Sequence, residues 1–301
     1  MKKLTFILLI NLICATGIAQ SNIRLNTFWD NTYFINPAYI NEKNLAEFRM
    51  ATRKQWVNFP GSPLTLFASG STYIEDIHTQ FGAKVMQDQI GYTSTTDLQL
   101  TYGYSSLLDN GWKIHLGLEG SFQMIGYDKS KMEFESDDDP NISDKLLKEN
   151  NFNAGVGVEL THQMWRFGAS SQNIFSLFYP INKQFSNTNY VYAMCHEFNH
   201  DYINLGYGAI FIQNVNTYQM ELNLTGYFKV TPEANSFQVG LFYRTWSEIG
   251  ILFGIDLSNN LKLTYSYDYN VSGISQSSYG SHELMISYRL DRIWQCHNCW
   301  Y

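Results

Sequence analysis

The stretch DLQLTYGYSSLLDNGWKIHLGLEGSFQMIGY, residues 97–127, decides the fold of this chain. Apolar residues alternate with polar or small residues on both sides of a central Asp-Asn-Gly. A two-residue period gives a strand one apolar face, whereas an amphipathic helix needs a period near 3.6. Asn110 and Gly111 tolerate the positive φ that a tight hairpin turn requires. The stretch therefore predicts two antiparallel strands joined by a short turn.

The same period recurs along most of the chain. It predicts strands that start near residues 45, 64, 79, 95, 111, 151, 164, 188, 201, 216, 236, 248, 260 and 281. Many of these strands are longer than the usual ~5–6 residues of soluble sheets, and tilted strands of ~9–11 residues are what a bilayer requires. We therefore expect an all-β fold, a transmembrane antiparallel β-barrel of about 14 strands. A soluble β-sandwich, which produces the same alternation, is the less favoured alternative.

The predicted connections sort by length in the way that a barrel requires. The longest, roughly 128–150, 173–187 and 270–280, all follow odd-numbered strands, and short turns such as 258–260 follow even-numbered strands. Bacterial barrels have long outer loops and short periplasmic turns. Aromatic residues near strand ends suit the interfacial girdles of such a barrel: Trp112, Tyr127, Trp165, Tyr202, Trp246 and Tyr269.

The first 19 residues have the pattern of a secretory signal peptide. Two lysines precede an apolar core, and Gly17 and Ala19 are the small residues that a signal peptidase recognises, so we expect cleavage after Ala19. Cys14 is disfavoured as a lipoprotein cysteine because Ile13, which is not small, precedes it. No later apolar run approaches the ~18 residues of a membrane helix. We expect the exported chain in the outer membrane.

The pattern divides the mature chain into three parts. Residues 20–44 do not alternate cleanly, and we expect this N-terminal segment in the periplasm or in the barrel lumen. The barrel is expected over 45–291 and a short tail over 292–301. The tail contains Cys296 and Cys299, which suggest a small disulfide or free thiols, since no second C-x-x-C completes a zinc site.

Composition and motifs disfavour catalytic and nucleic-acid functions. The formal charge of −7 offers no electrostatic support for nucleic-acid binding. His196 and His200 have the spacing of a zinc-protease helix, but the alternation before them predicts a strand. The acidic loop 133–139 has carboxylates that suit calcium, but it lacks EF-hand spacing, and a solvated outer loop is favoured. We expect no enzyme, no catalytic residue, no cofactor and no metal.

The segment RKQWVNFPGSPLT, residues 53–65, predicts an elbow at the first outward connection. Aromatic residues and arginines are common interface hot spots, and Pro and Gly shape and stiffen such a turn. The alternative is that the elbow packs against the barrel's own interior and only shapes it. The candidate partner-binding or rim residues are Asn36, Pro37, Arg53, Gln55, Trp56, Phe59, Pro60, Gly61 and Pro63.

Three motifs in this order resemble the PorP/SprF family, outer-membrane proteins of the type IX secretion system in Bacteroidota. They are Asn36-Pro37-Ala38-Tyr39, Arg53-x-Gln55-Trp56 followed by Phe59-Pro60-Gly61-Ser62-Pro63-x-Thr65, and Asp88-Gln89-Ile90-Gly91-Tyr92. The resemblance continues through Asn173-Ile174-Phe175 to Ser281-His282-Glu283-Leu284 but does not cover the tail.

The resemblance implies a barrel in outer-membrane lipid that works with an exported partner. That partner is a surface protein, such as an adhesin, which the barrel binds or anchors through the partner's C-terminal sorting domain. A second branch of the family implies a role in the secretion or gliding machinery. A passive outer-membrane pore or small-solute channel is the alternative from another functional class, since about fourteen strands lie between filled small barrels and open porins.

Overall fold

The computed structural model of the protein describes residues 24–128, 148–178, 186–197, 202–215, 217–231, 234–245, 247–271 and 278–291. In this part of the chain, fourteen strands pair with their sequence neighbours, and the first pairs with the last to close an antiparallel barrel. The predicted barrel is confirmed. The signal peptide, the acidic loop, Trp246 and the C-terminal tail with its cysteines lie outside the described residues.

The strand bounds follow the predicted starts closely. The strands are β1 Asn44–Lys54, β2 Leu64–Ile74, β3 Thr79–Ile90, β4 Thr93–Leu107, β5 Lys113–Tyr127, β6 Lys148–His162, β7 Trp165–Gln172, β8 Thr188–Glu197, β9 Ile203–Asn214, β10 Thr217–Thr231, β11 Ala234–Arg244, β12 Glu248–Asp256, β13 Leu261–Asn270 and β14 Ser281–Asp291.

The alternation seen in the sequence separates the outer and inner faces of the wall. In β4, Leu98, Leu100 and Tyr102 are 41–72% exposed on the outside, while Asp97 and Thr101 are 5% and 7% exposed on the inside. Outward apolar and inward polar side chains are the pattern of a barrel in a bilayer. Within the described residues, no helix has the length and apolarity needed to cross a membrane.

The two ends of the barrel differ in their connections. Connections after odd-numbered strands lie at what we call the long-loop end, and connections after even-numbered strands lie at the short-turn end. The turn between β4 and β5 is at the short-turn end, and its Asn110 and Gly111 have φ of 61° and 78° as predicted. Long outer loops and short periplasmic turns are the rule for bacterial barrels, so the long-loop end is the one expected outside.

Residues Arg24–Lys43, the lumenal segment, lie inside the barrel rather than in its wall. Short 3-10 turns at Asn26–Trp29 and Thr32–Phe34 fold the segment compactly. Its apolar side chains form the core of the protein with inward-facing wall residues, a cluster made of Leu25, Phe28, Trp29, Phe34, Ile35, Ala51, Phe67, Tyr190, Tyr192, Met194, Ile210 and Met285. The wall members come from β1, β2 and β14 on one side and from β8 and β9, half a circumference away, so the segment bridges the lumen.

Candidate functional site

The elbow between β1 and β2, residues 55–63, is hydrogen-bonded to the connections on both sides of it. Val57 N donates to Gly280 O at 2.8 Å, and Tyr279 N donates to Val57 O at 2.9 Å. On the other side, Gly91 N donates to Gly61 O at 3.0 Å. Three connections at the long-loop end are therefore fixed relative to one another.

The elbow backbone adopts conformations that its sequence partly explains. Gly61 has a φ of 71°, which glycine tolerates, but Trp56 and Asn58 also have positive φ, 50° and 73°. Positive φ is uncommon for a bulky residue, so the surrounding contacts hold Trp56 in place. Its backbone N–H donates to Ser281 Oγ at 3.3 Å.

The side chains of the elbow divide into exposed and buried groups. Phe59 is 38% exposed, Pro60 and Gly61 are exposed, and the rings of Trp56 and Phe59 meet edge to face at 6.3 Å. Gln55 and Pro63 are buried. The candidate residues that face the outside are thus Phe59 to Gly61 with part of Trp56.

Arg53 does not offer its donors at the rim. Its side chain is 1% exposed and points into the lumen, where Nη1 lies 2.8 Å from Asp268 Oδ2 and 3.5 Å from Glu283 Oε2. The Arg53 side chain thus lies inside the barrel and not on its rim.

Arg53 belongs to a larger cluster that we call the upper charge network. A second arginine, Arg244, pairs with Glu221 at 2.6 Å and with Glu248, which also accepts from Arg24 at 2.6 Å. Burial and the neighbouring Arg244 lower the pKa of Arg24 to about 10, which leaves it protonated at neutral pH. The network contains three guanidinium and four carboxylate groups: Arg24, Arg53, Arg244, Glu221, Glu248, Asp268 and Glu283.

The upper charge network binds the outer half of the lumenal segment. The backbone N–H groups of Asn26 and Thr27 donate to the two oxygens of Glu283 at 2.6 and 3.0 Å. The Asn26 amide donates to Asp268 at 2.5 Å, and Trp29 Nε1 donates to Glu221 at 3.1 Å. Buried charges are tolerated only when they are paired and hydrogen-bonded, and the segment supplies part of that bonding.

The inner half of the segment lies on three glycines of the wall. Gly103, Gly117 and Gly157 are in register on β4, β5 and β6, and we call them the glycine row. A Cβ on Gly117 would overlap the backbone of Pro37-Ala38, and a Cβ on Gly157 would overlap the Asn36 side chain. Glycine is required at Gly117 and Gly157 because the segment approaches the wall backbone directly there.

Asn36 and Tyr39 of the Asn-Pro-Ala-Tyr motif fix the segment above the glycine row. The Asn36 amide donates to Tyr192 Oη at 3.0 Å, and its Oδ1 accepts from Ala38 N at 2.9 Å. The Tyr39 ring contacts two guanidinium groups, at 4.6 Å from that of Arg166 and 5.5 Å from that of Arg49.

The lumenal segment ends at the short-turn end beside an open cavity. Glu42 accepts hydrogen bonds from Lys113 and from Ser105 Oγ, the latter at 2.5 Å. Burial by itself would raise the pKa of Glu42, but these hydrogen bonds outweigh it and hold the pKa below its usual value. The cavity has a volume of about 580 Å³, and charged groups including Asp30, Arg289 and Lys262 line it.

The structure does not bring all predicted site residues together. Asn36 and Pro37 lie deep in the lumen, whereas the elbow lies at the long-loop end. The Asp88–Tyr92 motif does join the elbow, through Gly91. Sequence reasoning missed the partners of Arg53 in the upper charge network. The sequence did contain a signal for this network, because charged residues stand at the inward-facing positions of predicted strands: Glu221, Arg244, Glu248, Asp268 and Glu283.

The His196–His200 motif, which has the spacing of a zinc-protease helix, begins in a strand. His196 belongs to β8, and its Nε2 lies 3.1 Å from Tyr227 Oη, while His200 is outside the described residues. In the described ranges, no three His, Cys, Asp or Glu side chains form a group that suits a metal ion.

Comparisons with known proteins agree with this fold. A family model described as "Type IX secretion system membrane protein PorP/SprF" matches residues 17–288. No curated protein matches the chain significantly. Among solved structures, the CymD monoaromatic hydrocarbon channel is similar with a TM-score of 0.54 and 11% identity, over 92% of this chain and 95% of that one.

Two toluene transporters are also similar. They are the toluene transporter TodX of P. putida, with a TM-score of 0.52, 8% identity and coverage of 85% and 92%, and the toluene transporter TbuX of Ralstonia pickettii, with a TM-score of 0.52, 7% identity and coverage of 86% and 93%. At such low identities the likeness shows a shared outer-membrane barrel fold.

Proposed function

The chain belongs to the PorP/SprF family of type IX secretion system membrane proteins, and we propose that it binds an exported surface protein at the elbow, on the long-loop end. It is an outer-membrane β-barrel of a secretion-system family, and that family is not one of enzymes. The finer part of the proposal is the client: a surface protein, such as an adhesin, held through its C-terminal sorting domain.

The observation that carries the proposal is two exposed aromatic side chains, Phe59 and Tyr279, on connections that are hydrogen-bonded to each other. Phe59 and Tyr279 are 38% and 70% exposed, and the hydrogen bonds between Val57 and the 279–280 connection fix their backbones relative to each other. Aromatic side chains supply much of the binding energy at interfaces, and a surface that is already ordered loses little entropy on binding. The elbow therefore has the chemistry of a docking site for a folded protein domain.

A passive pore is the second candidate function. The similar structures named as hydrocarbon channels and transporters and the cavity of about 580 Å³ at the short-turn end favour it. The lumenal segment disfavours it, because the segment packs against both sides of the wall and so occupies the lumen above that cavity. A planar bilayer measurement separates the two: we expect no steady conductance, and open-channel currents would favour the pore.

The docking proposal is tested by co-purification from the outer membrane. The tagged protein is solubilised gently with its partners, which are identified by mass spectrometry. We expect a large exported protein with a C-terminal sorting domain, and we expect the Phe59→Ala/Tyr279→Ala double variant to retain much less of it. Leu257→Ala is the matched control, because Leu257 is exposed at the opposite, short-turn end.

Two outcomes would contradict the proposal. Equal recovery of the surface protein with the double variant would remove the elbow from the site. Recovery of secretion or gliding components alone would place the protein in the machinery instead. A heat-dependent shift in gel mobility, which reports a folded barrel, is checked for each variant.

A further inference from the structure

The outer face of the wall carries a row of polar side chains near the long-loop end of β13, β14 and β1. In the strand register, Tyr267 lies opposite His282, and His282 lies opposite Lys54. Lys54 is the last residue of β1, His282 is the second residue of β14, and both side chains are exposed. Side chains directly opposite on one face have Cβ atoms about 4.5–5.5 Å apart. We call Tyr267, His282 and Lys54 the basic row.

Hydrogen bonds and ring contacts orient the basic row. Tyr265 Oη lies 2.7 Å from His282 Nδ1, and the rings of Tyr267 and His282 are 5.1 Å apart. With the hydroxyl as donor, His282 Nε2 carries a proton whether the ring is neutral or charged. Lys54 Nζ donates to Ser62 O at 2.8 Å, which leaves other N–H groups of the ammonium for a further acceptor. The row therefore offers two kinds of donor to one anionic group.

Lys54 differs from the cations of the lumen in its surroundings. Inside the barrel, Arg53 pairs with Asp268 at 2.8 Å. On the outer face, the residues in register beyond the two ends of the basic row are Ile251 and Leu64, which carry no charge. A cation on the lipid face of a barrel is costly at the bilayer midplane and is tolerated near the interface, where an anionic headgroup neutralises it.

We propose that the basic row binds the phosphate-bearing, anionic headgroup of a membrane lipid. A lipid fits better than a soluble anion because an apolar surface continues from the row toward the middle of the wall, where Leu284 and Ile286 are 40% and 44% exposed. Acyl chains would lie along these side chains, and tyrosines at the level of the row match the aromatic belt of a membrane interface.

The proposal goes beyond the proposed function, because it requires neither the exported surface protein nor the elbow. A lipid leaflet borders the basic row whichever end of the barrel faces outward. Failure of the lipid site would therefore leave the docking proposal untouched, and failure of docking would leave the lipid site untouched.

The lipid site is tested with the purified barrel in detergent micelles that contain phosphatidylglycerol or phosphatidylcholine with the same acyl chains. Bound lipid is counted by native mass spectrometry, and the temperature of the heat-dependent gel shift is measured in parallel. The test variant is Lys54→Gln/His282→Gln, and Lys54→Arg keeps the charge. Lys148→Gln is the matched control, because Lys148 is exposed at the long-loop end of β6 but lies opposite Gly126.

We expect the native protein to retain phosphatidylglycerol in preference to phosphatidylcholine. A single cation near an anionic lipid surface changes binding by about fivefold, so the double variant should retain at least about fivefold less phosphatidylglycerol. Lys54→Arg and Lys148→Gln should behave as the native protein does. If the double variant does not fold, Lys54→Gln alone is compared with Lys54→Arg.

Three results would overturn the lipid site. Equal retention of the two lipids by the native protein would show that the headgroup is not recognised. A loss as large in Lys148→Gln as in the double variant would assign the effect to general surface charge. An equal rise in the gel-shift temperature with inorganic phosphate would mean that a soluble anion, and not a lipid, is the ligand.

Discussion

The two halves of the lumenal segment are held in the barrel by different physics. The outer half is fixed by charge, through Glu283 and Asp268 to the backbone and side chain of Asn26. The inner half is fixed by shape, through the approach of Asn36 to Ala38 to the glycine row. The family motif residue Arg53 serves the first half, and the Asn-Pro-Ala-Tyr motif serves the second.

The difference determines how each half responds to mutation. A buried ion pair contributes little net stability, because desolvation offsets the Coulomb attraction, but removing one partner leaves the other charge unpaired at a large cost. A contact made by close packing has no such asymmetry. The stability that a mutation removes there grows with the extra volume that the packed interior has to accommodate. Mutations should therefore be most damaging where one side chain neutralises several others.

The largest effect is expected for Arg244→Met. Arg244 pairs with both Glu221 and Glu248, so its loss leaves two buried carboxylates with fewer partners. We expect a loss of about 3–5 kcal/mol in the free energy of unfolding, measured by urea titration of the detergent-folded barrel. Arg289→Met is the control, because Arg289 and Asp256 are 3.7 Å apart and partly exposed. A small change in Arg244→Met would mean that the outer half is not held by charge.

The next effect is expected for Gly117→Val. The new side chain would meet the backbone of Pro37-Ala38, which cannot rotate away as a side chain would. Overpacking of this kind costs typically about 1–3 kcal/mol, and we expect a lower temperature for the heat-dependent gel shift. Gly120→Val lies on the same strand and meets nothing within 4 Å, so it should behave as the native protein does. Equal stability of the two variants would refute the close approach.

The barrel was predictable from the sequence, while the interior was not. Period-two alternation is local, so the starts of β8, β12 and β14 are predicted at the residues where they occur. The pairing of Arg53 with Glu283 joins residues 230 positions apart, and no local pattern encodes it. Arg53 is a candidate rim residue from the sequence, but its side chain lies in the lumen, because the alternation of β1 places it at an inward-facing position. The fold of residues 24–43 likewise depends on contacts with inward-facing residues of strands all around the barrel.

A smaller effect is expected for Tyr39→Leu, which keeps apolar volume but removes the aromatic ring that Arg49 and Arg166 contact. Cation–π contacts are worth from about 0.5 to 2 kcal/mol each, so we expect a loss near 1 kcal/mol in the free energy of unfolding by urea titration. Tyr39→Phe separates the ring from the hydroxyl, which accepts from Arg49 at 3.4 Å. It should retain most of the stability. If Tyr39→Phe loses as much as Tyr39→Leu, the hydroxyl rather than the ring holds the inner half.

The smallest effect concerns Glu42, a contact of the inner half that depends on the charge of a carboxylate. Hydrogen bonds from Lys113 and Ser105 hold the pKa of Glu42 below its usual value. The contribution of Glu42 to the free energy of unfolding is therefore present above the unfolded pKa of about 4.3, and it is lost as the pH falls through the folded pKa. We expect the difference in urea midpoint between native protein and Glu42→Gln to be constant from pH 8 to 5 and to vanish in more acidic buffer. A difference that stays constant however acidic the buffer is made would show that the Glu42 contact depends on shape and not on its charge.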